Sequence, residues 1–290
     1  MHPAEGHAIR CTDTPCQRGG GRMDLDDAYD NGGHIDGAAA YPDRWADAAA
    51  DWRGMESACG RAQLNLAYGP APRQKFDLFF PAGRPLGLAM FVHGGYWRRF
   101  DRSDWSHFAA GCTAAGWACA VPSYTLAPQA RIAAITAEIG AAIAAAAGRV
   151  PGPIALTGHS AGGHLVARMA MADAPVPRDV AARITRVVPI SPLSDLRPLL
   201  RTSMNADLGL DATDALAESP VTGVPRAGVA VSVWVGGAER PAFIDQARWL
   251  GQAWGCPWHI ADGRHHFDVI EPLRDPQSAV MRDLLGPGVA

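Results

Sequence analysis

Gly158-His159-Ser160-Ala161-Gly162 matches Gly-x-Ser-x-Gly. A serine hydroxyl is a poor nucleophile until a base takes its proton, and it must project from a sharp turn to meet a substrate. Glycines on either side of such a turn let strand and helix backbones approach closely. The pentapeptide alone is weak, because small-residue turns are common. Here it follows the apolar run 154–157 and precedes the helical pattern 165–171. That strand–turn–helix context makes Ser160 the candidate nucleophile.

A second signal lies 67 positions earlier, where the apolar run 88–92 ends in His93-Gly94-Gly95-Tyr96-Trp97. Lipase- and esterase-like hydrolases place a His-Gly-Gly loop here, whose backbone N–H groups form an oxyanion hole with that of the residue after the serine. Gly94, Gly95 and Ala161 are the candidate donors. His93 is expected to brace the loop rather than transfer protons. Tyr96 stands where many esterases carry a third glycine. Tyr96 and Trp97 are candidate aromatic walls for a substrate, with core packing the alternative for Trp97. Arg98 and Arg99 could meet a carboxylate or simply be solvated.

An acid and a base must complete the set, in the order serine, acid, histidine. His265-His266 lies near the carboxyl end after the last apolar run. Neighbouring histidines point different ways, so one of the two serves as base. For the acid, 229–235 reads as a strand ending in Gly236-Gly237-Ala238-Glu239. Glu239 is therefore the candidate; the alternative is a first-turn carboxylate favoured by the helix dipole. Asp245 falls inside the following helix, and Asp262 and Asp268 sit too close to the histidines. His159 and His164, on the elbow and its helix, precede the acid. They are expected to be structural or pocket-lining, with His159 the candidate substrate contact.

These residues need a frame. Strands are predicted at 76–80, 88–92, 119–124, 154–157, 187–190, 229–235 and 258–261. Helices are predicted at 103–115 (Ser103 as a possible cap), 132–147, 165–171 and 242–254. Apolar strands alternating with helices indicate an α/β protein with a mostly parallel central sheet and helices on both faces. Residues 24–61 read as helical and acidic, with Trp45 and Trp52 on one face. The stretch 195–219 is expected to form an insertion over the carboxyl edge of the sheet, where ligands bind in such folds. Residues 1–22 are expected to be a disordered leader before one domain over 23–290.

Composition excludes several classes. The 290 residues are 48% hydrophobic and 19% charged, enough for a large core. A net charge of −3 argues against a nucleic-acid partner. Lys75 is the only lysine. No run reaches the roughly 20 apolar residues of a membrane span. The first residues lack the apolar segment of a signal peptide. Six cysteines in a chain this long do not read as a disulfide framework. Reduced thiols and a cytoplasmic location are the expectation, with a small-molecule substrate and room for a homodimer. His34-Ile35-Asp36 and the Cys11, Cys16, His2 and His7 group are too sparse for a metal site, so no metal is expected.

Taken together, the motifs resemble the kynurenine formamidases (arylformamidases) of the α/β-hydrolase fold. The resemblance rests on His-Gly-Gly-Tyr-Trp at 93–97 and Gly-His-Ser-Ala-Gly-Gly-His at 158–164. It also rests on Ser191-Pro-Leu-Ser-Asp195-Leu-Arg-Pro-Leu, Gly237-Ala-Glu239-Arg-Pro-Ala-Phe243 and His266-Phe-Asp-Val-Ile-Glu271. It spans roughly 28–285 in order. It implies a triad of Ser160, Glu239 and His266, and it is the resemblance that selects His266 over His265. Glu239 stands where animal-type members carry Asp. The implied reaction is hydrolysis of N-formyl-L-kynurenine to kynurenine and formate in tryptophan breakdown, without a cofactor. Two alternatives remain: a carboxylesterase or amidase acting on other small acyl substrates, and a non-catalytic binding protein on a hydrolase fold.

Overall fold

The computed structural model describes residues 25–286; the expected leader over 1–22 lies outside them. Two helices precede the sheet: the short α1 (Asp26–Tyr29) and the long α2 (Tyr41–Ala58), with two 3-10 turns between them. The strands are β1 (Ala62–Ala67), β2 (Lys75–Phe79), β3 (Leu88–Val92), β4 (Ala118–Pro122), β5 (Ile154–His159), β6 (Ile184–Ile190), β7 (Ala230–Val231), β8 (Val233–Gly236) and β9 (Trp258–Ala261). The remaining helices are α3 (Ala110–Ala114), α4 (Ile132–Ala147), α5 (Ala161–Ala170), α6 (Arg178–Ala181), α7 (Asn205–Leu208), α8 (Ala212–Ala217), α9 (Pro241–Trp254) and α10 (Ala279–Leu285).

One sheet runs in the order β1-β2-β4-β3-β5-β6-β8-β9, with β7 also on β6. The pairs β1–β2 and β2–β4 are antiparallel. From β4 through β3, β5, β6, β8 and β9 every pairing is parallel. The central strands β3, β4 and β5 are buried on both faces, which is why they read as continuous apolar runs. One face packs α4, α5 and α9 through Ile135, Leu165 and Phe243. The other packs α2, α3 and α10 through Trp45, Cys112 and Met281.

Two expectations need correction, and one strand is unforeseen. Residues 102–114 are two 3-10 turns and the short α3 rather than one helix, and the cap is Asp101, which accepts from the Ser103 amide. The strand expected at 229–235 breaks at Ser232, whose amide bonds to the Val187 carbonyl. β1, an exposed edge strand with alternating burial, is an element the apolar runs do not reveal.

Candidate active site

Ser160 sits between β5 and α5 with φ 55° and ψ −118°, a backbone conformation a non-glycine residue rarely adopts. The turn is held from both sides: the Ser160 amide donates to the Ile190 carbonyl at 2.9 Å, and the His164 amide donates to the Ser160 carbonyl at 3.0 Å. Gly162 is required because a Cβ there would lie 2.0 Å from the Val92 carbonyl oxygen. Strand β3 thus crosses directly beneath the first turn of α5. That contact brings the loop after β3 to the serine.

The loop itself passes close to the elbow. A Cβ on Gly94 would meet the His159 carbonyl at 2.9 Å and Ser160 Cβ at 3.0 Å. Ala161 opens α5, so its N–H belongs to the first turn, where amides have no helical partner. Gly94 and Ala161 therefore flank Ser160, and Gly95 lines the same cavity as the serine. His93 is fully buried and stacks on Tyr124 with ring centroids 4.4 Å apart. Its Nδ1 lies 2.8 Å from the Gly94 carbonyl, and Tyr124 donates to the His93 carbonyl at 3.0 Å. Burial pushes the His93 pKa down to about 4, so the ring is neutral and ties the loop together.

Glu239 and His266 meet in a buried pair. His266 Nδ1 lies 2.6 Å from Glu239 Oε2, and both side chains are almost wholly buried. The other carboxylate oxygen accepts from the Gly236 amide at 2.7 Å and from Ser191 Oγ at 2.5 Å. Glu239 is thus fully engaged, with one oxygen left for the imidazole. The acid loop and the base loop are also stitched by backbone: Gly237 donates to Ala261, and Ala238 donates to Arg264. Neither type nor spacing singles out Ser191, the donor to Glu239; its only sign in the sequence is its place at the head of the Ser191–Asp195 motif.

His265 faces elsewhere. Its Nε2 lies 3.1 Å from Tyr41 Oη, and its Nδ1 accepts from the Phe267 and Asp268 amides. His159 packs its ring 4.5 Å from that of His266 and has neither ring nitrogen hydrogen-bonded among the described residues. Burial drives its pKa far below the usual imidazole range.

Ser160, His266 and His159 line one cavity of about 470 Å³, a size suited to a small ligand. Its walls are aromatic: Trp45, Tyr96, Phe100, Trp105 and Phe267. The Trp45 and Trp105 rings lie 4.6 Å apart. Tyr96 is fixed by donating to the Tyr29 carbonyl at 2.5 Å. Trp97 is not in the wall. It is fully buried in the core, edge-on to His164 with ring centroids 5.1 Å apart. Arg98 pairs with Asp207, whereas Arg99 lines the cavity.

The cover of the cavity also differs from expectation. Residues 195–219 supply core side chains such as Leu199 and Leu208, but none of them lines the cavity. The roof is the segment before β1, through Tyr29, Asp30, Asn31, Ala38, Pro42 and Trp45. The Trp45 and Trp52 spacing marks one face of α2 as inward, but nothing in its pattern distinguishes a cavity wall from core. His34 pairs with Asp27, and among the described residues no three His, Cys, Asp or Glu side chains are placed to hold a metal. No described helix is long and apolar enough to cross a membrane.

A family model for the alpha/beta hydrolase fold matches residues 89–247. The kynurenine formamidase of Salmo salar is 28% identical over 240 residues, covering 77% of this chain and 81% of that protein. The Drosophila melanogaster kynurenine formamidase is 26% identical, with 76% and 79% covered. A crystal structure from Silicibacter sp. TM1040, provisionally called a thioesterase, is 57% identical with TM-score 0.88, covering 91% of this chain and all of that one. The chain belongs to the α/β-hydrolase family, as a kynurenine formamidase-like member and an amide or ester hydrolase.

Proposed function

We propose that this chain hydrolyses N-formyl-L-kynurenine to L-kynurenine and formate through a serine nucleophile. The observation that carries the reading is the buried line from Ser191 through Glu239 to His266, ending in the aromatic cavity that Ser160 also lines. His266 Nε2 takes the Ser160 proton as Oγ attacks the formyl carbon. The tetrahedral oxyanion rests on the amides of Gly94, Gly95 and Ala161. Protonated His266 gives its proton to the departing arylamine, leaving a formyl ester on Ser160. A water, deprotonated by His266, then releases formate and restores the serine. Glu239 fixes the imidazole tautomer with Nδ1–H toward itself and stabilises the imidazolium. No cofactor takes part.

The cavity suits this substrate on both sides of the bond. Trp45, Trp105 and Phe267 offer flat walls to the aryl ring. Tyr96 is anchored beside the acyl site and adds bulk where a longer acyl chain would lie. A second reading, hydrolysis of short esters or thioesters, is favoured by the likeness to the Silicibacter protein. Both use the same residues, so acyl length separates them. We expect kcat/KM for N-formyl-L-kynurenine and for formyl or acetyl p-nitrophenyl esters to exceed that for butyryl and hexanoyl esters by at least tenfold, since overlap costs more than the ~1–3 kcal/mol a methylene can contribute. A maximum at butyryl or beyond with an inert formamide overturns the formamidase reading.

A further inference from the structure

Asn31 is 5% exposed, lines the cavity roof, and has neither Nδ2 nor Oδ1 hydrogen-bonded among the described residues. A buried primary amide without partners is costly, and such groups are normally satisfied. Two charged side chains share this cavity with it. Asp30 spends one oxygen on the Gly33 amide at 3.0 Å and forms no ion pair among the described residues. Arg99 likewise has no carboxylate partner among them; its guanidinium lies 5.4 Å from the Phe100 ring centroid. Its neighbour Arg98, by contrast, is paired. The cavity therefore presents an exposed carboxylate, an exposed guanidinium and a buried amide that can both give and accept. All three lie on the same cavity as the aromatic walls and Ser160.

We infer that Asn31, Asp30 and Arg99 form a subsite for an α-amino-acid head group on the substrate. Resting on the formamidase reading, this makes the preferred substrate class aromatic formamides that carry ammonium and carboxylate on one carbon. Such a head offers donors and acceptors on neighbouring atoms. Asn31 Oδ1 accepts from the ammonium while Nδ2 donates to the carboxylate, Asp30 balances the ammonium, and Arg99 balances the carboxylate. A neutral aryl ester or formamide leaves all three unmatched. The subsite thus explains how a general acyl-transfer site discriminates among aryl substrates: the buried Asn31 amide, left unmatched, rejects a ligand more strongly than a missing apolar contact does, while the exposed Asp30 and Arg99 add charge preference at the rim.

The test compares N-formyl-L-kynurenine with N-(2-acetylphenyl)formamide, which keeps the formamide, ring and ketone but lacks the head group. Wild type should prefer the full substrate by at least tenfold in kcat/KM. Asn31→Leu, Asp30→Asn and Arg99→Gln should each shrink that preference by about three- to thirtyfold, chiefly through KM. Binding of L-kynurenine to Ser160→Ala, followed by tryptophan fluorescence or calorimetry, should weaken by a similar factor when Asn31→Leu is added. Equal cleavage of both formamides by wild type, or an unchanged preference and unchanged kynurenine binding in the variants, overturns the subsite while leaving the formamidase reading standing. Inertness of both formamides with active ester cleavage overturns the formamidase reading and the subsite with it.

Discussion

Two adjacent histidines of this chain have opposite assignments, and the difference lies in what each ring nitrogen faces. His266 gives Nδ1 to a buried carboxylate, whereas His265 spends both nitrogens on Tyr41 and on two backbone amides. Under the proposed mechanism, Ser160→Ala and His266→Ala should each lower kcat by about 10⁴–10⁶, because nucleophile and base act as a unit. His265→Ala should cost less than about tenfold, with a stability loss on the order of 1 kcal/mol from the bonds removed. Glu239→Gln should fall between. Ser191→Ala, which strips one donor from Glu239, should reduce kcat by about three- to thirtyfold. Steady-state kinetics beside thermal melts check the series, and an inactive His265→Ala would exchange the two histidines. The serine, the glycine loop, the acid and the pair of histidines are all visible in the sequence because each sits at the end of an apolar run. The choice between the two histidines is not visible, since it turns on Glu239, 27 positions from His266, and on Tyr41, 224 positions from His265. The role of Ser191 likewise depends on Glu239, 48 positions on, and Asn31 is marked only by the cavity it lines.

Helices and strands position these groups through close backbone approaches, and glycines mark where. Gly162→Ala would drive a methyl to 2.0 Å from the Val92 carbonyl, with the His93 carbonyl 2.6 Å away. Neither neighbour is a flexible side chain, so the strand or the elbow must shift. We expect insoluble protein or a loss above about 3 kcal/mol, from overpacking of a rigid junction. Gly54, inside α2, has nothing within 4 Å of a built Cβ. Gly54→Ala should instead stabilise by about 0.5–1 kcal/mol, from helix propensity and reduced unfolded-state freedom. Chemical denaturation of the two variants gives the comparison, and equal effects would contradict the packing argument. At this scale the sequence was most informative where an element is long or buried on both faces. β3 and α4 match their expected ranges, because an unbroken apolar run and a sustained helical period leave little ambiguity. The 102–114 segment does not, because Asp101 and Ser103 start a short turn that competes with a continuous helix. The roof before β1 is likewise hidden: its residues look like any amphipathic segment, and only the folded chain places Asn31 and Trp45 over the serine.

Across the whole molecule, several histidines are sealed in as neutral rings. Burial lowers the pKa of His93, His107 and His164 to about 4 each. Their unfolded value is near 6.5, so the folded pKa is the lower one. Between about pH 4 and 6.5 the unfolded chain therefore binds more protons than the folded chain, and stability falls as pH falls. Each ring contributes on the order of 3 kcal/mol across that window, and three together give a steepest slope of about 4 kcal/mol per pH unit. His159, pushed down still further, acts in the same direction. Asp101, Asp173 and Asp195, held below the usual range by Arg102, Arg168 and Arg197, add their losses only as pH falls below about 4. Asp104, raised by burial, opposes the trend with a single group. Against the 5–15 kcal/mol of a typical domain, this is enough to unfold the protein near pH 4–5. Its Tm should be nearly constant from pH 8 to 7 and drop steeply below 6. His107 isolates the cause, because it lies away from the cavity and its Nδ1 has no hydrogen-bond partner among the described residues. His107→Leu should flatten the dependence by about one proton while leaving the high-pH Tm within a few degrees. A Tm that holds steady from pH 7 to 5, or an unchanged slope in His107→Leu, would show that these rings do not carry the acid sensitivity.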